Sequence, residues 1–101
     1  MYYIYIIYSV SADKFYVGYS DNPQRRLEEH NTKTFNTFTA KYRPWSIKAV
    51  FHCGAFEADA IKIEKFIKKQ KSRKLLELLC SPDFIPNGYL AQLVRVPHVR
   101  D

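Results

Sequence analysis

The sequence predicts an α+β domain. Two runs of β-branched and aromatic residues flank a polar turn near the N-terminus, and a third such run covers residues 47–53. A helical repeat of apolar positions then spans residues 57–71. At 101 residues the chain has the size of one domain. Residues 1–80 are assigned to it, and residues 81–101 to a C-terminal tail whose order the sequence leaves open.

Each element has a local cause. Residues 2–10 and 15–19 read as strands, and Ser11-Ala12-Asp13-Lys14 joins them as a hairpin loop. Side chains alternate along a strand, so Tyr3, Tyr5 and Ile7 share one face and Tyr2, Ile4, Ile6 and Tyr8 the other. Both faces are apolar, which predicts a central strand covered on both sides. Asn22 can cap a helix whose first position suits Pro23, running to about His30. Residues 32–45 read as a loop, and residues 47–53 as a third strand pairing with the hairpin. In the helix over 57–71, Ala60, Ile63, Phe66 and Ile67 fall on one arc and Lys62, Lys65 and Lys69 on the other. Ser72 caps a further helix over residues 73–79. Beyond Pro82 the pattern decays, with one short strand expected near residues 90–96. A three-stranded sheet flanked by three or more helices results, apart from the short strand of the tail.

The formal charge is +6, and all of the excess lies in residues 1–80, which hold fourteen Lys or Arg against eight Asp or Glu. A basic domain has the footprint of a polyanion binder. Cys53 and Cys80 lack the short spacing of a zinc site and read as free thiols of a reducing compartment. The apolar run at the N-terminus is eight residues long without a charged leader, and no run approaches the ~20 residues of a membrane span. The expected setting is cytoplasmic, with no membrane.

A phenol, a guanidinium and a carboxylate are the groups that metal-assisted phosphodiester cleavage requires. Arg26 and His30 lie one helical turn apart on one face. The arginine fork matches two phosphate oxygens; the competing reading is a solvated surface with Glu28 and Glu29. Glu64 falls at the border of the buried stripe. It could ligate a hard divalent ion such as Mg²⁺, or pair with Lys68 four residues on. Tyr5 and Tyr16 read as core aromatics; a phenol acts as a base only where cations or a metal stabilise the phenolate. His30 is either an ordinary helix-end histidine or a proton shuttle. Gly18, inside a strand, marks a close approach of other atoms. Lys62, Lys65, Lys68, Lys69, Lys71, Arg73 and Lys74 form a basic run fit for phosphates or for solvation alone. Tyr42 and Trp45, beside Lys41 and Arg43, could stack on unpaired bases, or Trp45 could cap the core.

Taken in order, Tyr3-Ile4-Tyr5, Tyr16-Val17-Gly18, Arg26, Glu28-Glu29-His30-Asn31 and Glu64 within Ile63–Lys69 resemble a GIY-YIG endonuclease domain. The small standalone bacterial members, like the N-terminal nuclease module of the UvrC repair proteins, are the nearest resemblance. It covers about residues 1–80, with Tyr3 standing where glycine is typical. The resemblance implies a three-stranded antiparallel sheet flanked by helices, and metal-dependent endonuclease activity. It implies Glu64 as the protein ligand of Mg²⁺, with Mn²⁺ as substitute. Tyr16 would be the base or would orient the attacking water, Arg26 would stabilise transition-state charge, Tyr5 would support the network, and His30 would assist proton transfer. Lys41, Arg43, Lys62, Lys65, Lys68 and Lys69 would contact DNA. The expected substrate is branched, damaged or single-stranded DNA, in repair or recombination, with selectivity drawn from shape or a partner protein. The expected state is a monomer or homodimer. A non-catalytic nucleic-acid-binding module of the same fold is the alternative. A small interaction protein, with Glu64 simply paired to Lys68, is a third reading.

Overall fold

An antiparallel sheet with strand order β2-β1-β3-β4 divides the molecule into two apolar layers. The computed structural model describes residues 1–33 and 36–97. Thr34 and Phe35, in the expected loop, and His98 to Asp101, at the end of the tail, lie outside the described residues. The strands are β1 (Tyr2–Ser9), β2 (Lys14–Ser20), β3 (Ser46–Gly54) and β4 (Val94–Arg95). The helices are α1 (Pro23–Thr32), α2 (Thr37–Lys41), α3 (Glu57–Gln70) and α4 (Arg73–Cys80). The architecture is α+β, as the sequence predicts. There are four described strands rather than three, the fourth being the short one expected near residues 90–96.

β1 is central because both of its faces are apolar. Ile4 and Ile6 join Val17, Phe51, Ala60, Ile63 and Ile67 in the layer under α3 and α4. Tyr5 and Ile7 join Leu27, Trp45, Ile47 and Val50 in the layer under α1. Between Ile6↔Ala49 and Ile7↔Ile47 the register shifts at Lys48, a bulge that keeps each apolar set on its own face. Asp13, at φ 55°, closes the hairpin, and Arg73 of α4 holds that turn through Asp13 Oδ1 at 2.6 Å and its carbonyl at 2.9 Å. The expected caps form: Asn22 Oδ1 accepts from Arg25 N at 3.0 Å, and Ser72 Oγ from Leu75 N at 3.1 Å.

Two expectations are corrected. The segment read as a loop over residues 32–45 contains α2, which starts where Asn36 Oδ1 accepts from Thr39 N at 3.1 Å. Five residues are too few to show a helical period, so only the cap signalled it. Trp45 is no stacking platform: it is buried, and its indole N–H donates to the Thr39 carbonyl at 2.8 Å. Among the described residues no helix is long and apolar enough to cross a membrane.

The segment after α4 closes the first layer. Leu90 and Leu93 are buried there, Val96 N donates to Val50 O at 2.8 Å, and Arg95 Nη2 donates to Leu79 O at 2.8 Å. Leu93→Ala is therefore expected to cost about 2–5 kcal/mol, the range for truncating a buried leucine. A urea melt checks this, and an unchanged midpoint would show that the segment adds nothing to the core.

Candidate active site

β2 is an edge strand, so helices on opposite faces of the sheet can reach around it. Arg26 comes from α1 on one face and Glu64 from α3 on the other. With Tyr5, Tyr16 and Gly18 they line one polar cleft of about 340 Å³. Asp21, Arg25, Tyr19 and Glu57 complete much of its rim, and the Tyr19 hydroxyl donates to Glu57 Oε2 at 3.1 Å. Four of the five residues expected to carry chemistry thus share one concavity.

The fifth, His30, lies behind it. Its ring is fully buried, with Nε2 2.7 Å from the Tyr5 hydroxyl and Nδ1 3.0 Å from Thr39 Oγ1. Thr39 Oγ1 donates to the Asn36 carbonyl at 3.3 Å, so it accepts from His30 Nδ1–H. Nε2 is then the acceptor, and Tyr5 donates to it. Arg26 in turn hydrogen-bonds the Tyr5 phenol and Glu29, with Nη1 3.0 Å from Glu29 Oε1. The relay runs one way: Arg26 to Tyr5 to His30 to Thr39 to a backbone carbonyl.

The electrostatics follow from burial. Desolvation first, and then the Arg26 charge, hold the His30 imidazole down at about 4. Desolvation, followed by the nearby Tyr16 phenol, pushes the Tyr5 phenol well above its ordinary range, so it stays a donor. Desolvation acts against the charge of Arg26, but hydrogen bonds to Glu29 and Tyr5 outweigh it and raise the pKa above its usual value.

Tyr16 is set differently. Asn36 Nδ2 donates to its oxygen at 3.1 Å, and Lys68 Nζ stands 4.9 Å from its ring centroid. Lys68 Nζ also lies 3.7 Å from Glu64 Oε1, and the Glu64 side chain is only 17% exposed. The ion pair weighed in the sequence is therefore present, reaching from Glu64 in the cleft to Lys68 beside it.

Asn36 and Thr39 were missed by the sequence reading, because α2 was taken as loop. The Asn-x-x-Thr cap pattern was the available signal. Gly18 makes the close approach its place in a strand suggests. It pairs with Tyr5, and a Cβ there would stand 3.0 Å from Tyr5 Cε2 and nearer still to the hydroxyl.

The expected nucleic-acid contacts divide. Lys62, Lys65 and Lys69 are exposed on α3, outside the cleft lining. Lys41 is exposed at the end of α2, its Nζ 5.4 Å from the Tyr42 ring centroid. Arg43 is engaged within the fold: Nε donates to His30 O at 2.8 Å and Nη2 to Lys33 O.

A family model described as the GIY-YIG catalytic domain matches residues 1–76. The chain belongs to the GIY-YIG family. A comparison with curated proteins found no matching relative. GIY-YIG domains are generally endonucleases and are usually dependent on a divalent metal, with DNA as the implied substrate. The donors in the cleft fit such an ion. Among the described residues no cluster of three or more His, Cys, Asp or Glu could hold a metal. The shielded Glu64 carboxylate in a polar cleft suits a hard cation that keeps most of its own waters, and does not suit zinc.

Two outcomes follow. Gly18→Ala should cost about 1–3 kcal/mol by overpacking against Tyr5. Adding Tyr5→Phe should relieve part of that cost, because the hydroxyl is the nearest atom; strict additivity in the double-mutant cycle would rule out this contact as the cause. The second concerns pH. His30 titrates near 6.5 when unfolded and at about 4 when folded, so the unfolded state takes up the proton first. Its contribution is intact above pH 6.5, declines between 6.5 and about 4, and levels off below. NMR should show the His30 imidazole failing to titrate between pH 5 and 8, and a normal midpoint near 6.5 would contradict its burial.

Proposed function

We propose that this chain is an endonuclease hydrolysing DNA phosphodiester bonds with Mg²⁺ or Mn²⁺, with little sequence specificity, acting in the cytoplasm in repair or recombination. The supporting observation is the convergence of Tyr16, Arg26, Tyr5 and Glu64 on one polar cleft. Branched, damaged or single-stranded DNA is the substrate class, because the strands and helices leave selectivity to DNA shape or to a partner.

Glu64 would hold the cation, which would supply Lewis-acid polarisation of the phosphate and a template for in-line attack. Arg26 faces the phosphate oxygens as a permanent charge, and the relay behind it keeps the fork from swinging. Tyr16 orients the attacking water and relays its proton, accepting it as its own hydroxyl proton passes to solvent, and the departing oxygen takes a proton from solvent. Its oxygen lies in the cleft and already accepts from Asn36, whereas both ring nitrogens of His30 are engaged behind the wall. His30 is thus a positioning residue acting through Tyr5. Lys68, paired with Glu64, adds a cation beside the site for the DNA phosphates. Lys41, Lys62, Lys65 and Lys69 supply salt-sensitive affinity from the exposed surface.

The Glu64–Lys68 pair is what the interaction-protein reading expects, and it suits a non-catalytic chain generally, a DNA-binding module included, since it neutralises the carboxylate without a metal. Cleavage of labelled duplex, single-stranded and branched DNA with Mg²⁺ or Mn²⁺ separates the two. Tyr16→Phe, Arg26→Ala and Glu64→Gln should each lower turnover by about 10²-fold or more, with unchanged melting curves. Equal activity in all four proteins would refute the assignment; tight binding without cleavage by wild type would favour the module.

A further inference from the structure

A second concavity adjoins the cleft and shares Tyr16 with it. It measures about 470 Å³ and follows β2 between α2, the end of α3 and the start of α4. Phe15, Val17, Ile67 and Leu76 make its apolar interior. Phe38, 40% exposed, stands beside Tyr16 as an aromatic wall, with ring centroids 6.1 Å apart. The rim carries Lys14, Lys68, Lys71 and Arg73, against Asp13 as the acidic residue of the lining. Asp13 is already paired with Arg73 at 2.6 Å, which leaves the three lysines as the uncompensated charge of the rim apart from the Lys68–Glu64 contact.

An apolar, aromatic-walled groove with a cationic rim is complementary to a flat apolar ring on an anionic tether. The groove is continuous with the cleft, because Tyr16 lines both and Lys68, on its rim, reaches Glu64 in the cleft. Its volume is within the range of pockets that enclose small ligands. We propose that this groove takes the unstacked base of a DNA nucleotide next to the cleaved phosphate, with Phe38 as the stacking surface and Lys14 and Lys71 on the flanking phosphates. The inference rests on the endonuclease reading and narrows its substrate: DNA with an unpaired nucleotide at the cut. Unstacking is least costly where a base is mismatched, damaged or already single-stranded, so a groove for an extruded base selects shape without reading sequence.

The test uses the full chain carrying Glu64→Gln, so that DNA is bound but not cut. Its probes are a branched DNA with 2-aminopurine as the unpaired nucleotide at the junction, and the same strand fully paired. The expected result is a change in 2-aminopurine emission on binding the branched DNA alone. Phe38→Ala should abolish that change and weaken branched-DNA affinity about tenfold, with duplex affinity moved less than twofold. Phe38→Tyr, which keeps the ring, should restore both. Lys71→Ala should weaken binding and flatten its salt dependence. Equal effects of Phe38→Ala on both DNAs, no effect on either, or no rescue by tyrosine would overturn the proposal. The parent chain with Mg²⁺ separates the two readings. Cleavage of both DNAs with no dependence on Phe38 leaves the endonuclease standing and removes the groove. The expected emission and affinity pattern without cleavage of either DNA supports the groove and removes the endonuclease.

Discussion

The position of β2 at the edge of the sheet is the constraint on which the rest depends. A strand paired on both sides would wall off the helices of one face from those of the other. Because β2 has one neighbour, Glu64 from α3 and Arg26 from α1 reach the same space around it, with Lys68 paired to Glu64 alongside. The strand supplies Tyr16 at the meeting point, and Gly18 leaves room for the Tyr5 ring beside it. Opposite charges held on separate faces of a small sheet would otherwise be kept apart by its thickness.

Behind that edge lies a second device, a one-directional chain of hydrogen bonds. Arg26 lines the cleft as a charge held in a partly buried place, so its position depends on what it is bonded to. Tyr5 accepts from Arg26 and donates its own hydroxyl hydrogen bond to a histidine that burial keeps neutral. Thr39 fixes the histidine tautomer, and its own hydroxyl ends on a backbone carbonyl. A protonated His30 would have no acceptor to offer Tyr5, so the low pKa of the imidazole is part of how the arginine is held. The short helix α2 supports both branches of the site, Asn36 reaching Tyr16 and Thr39 reaching His30.

Much of this was legible along the chain. The central strand was visible because both of its alternating faces are apolar. The caps at Asn22 and Ser72 were visible because capping is local chemistry. Glu64 was visible at the margin of the α3 stripe, since a helical wheel needs only one element. What escaped lies between elements. Trp45 beside two cations resembled a stacking surface until packing placed it under α2. Arg43 hydrogen-bonds carbonyls at and just past the end of α1, a contact that no local pattern announces. Phe38 carried no signal, and Thr39 carried only that of a local cap, because their significance comes from neighbours far away in sequence.

The sequence by itself determined the types of the longer elements, the centrality of β1 and the family resemblance, since periodicity, capping and motif order are properties of short stretches. The tertiary structure alone decided that His30 is a buried acceptor, that Lys68 stands between Tyr16 and Glu64, and that an aromatic-walled groove opens beside the cleft. Those outcomes depend on which faces meet around an edge strand, and that is set by the packing of two apolar layers at once, which no single segment encodes.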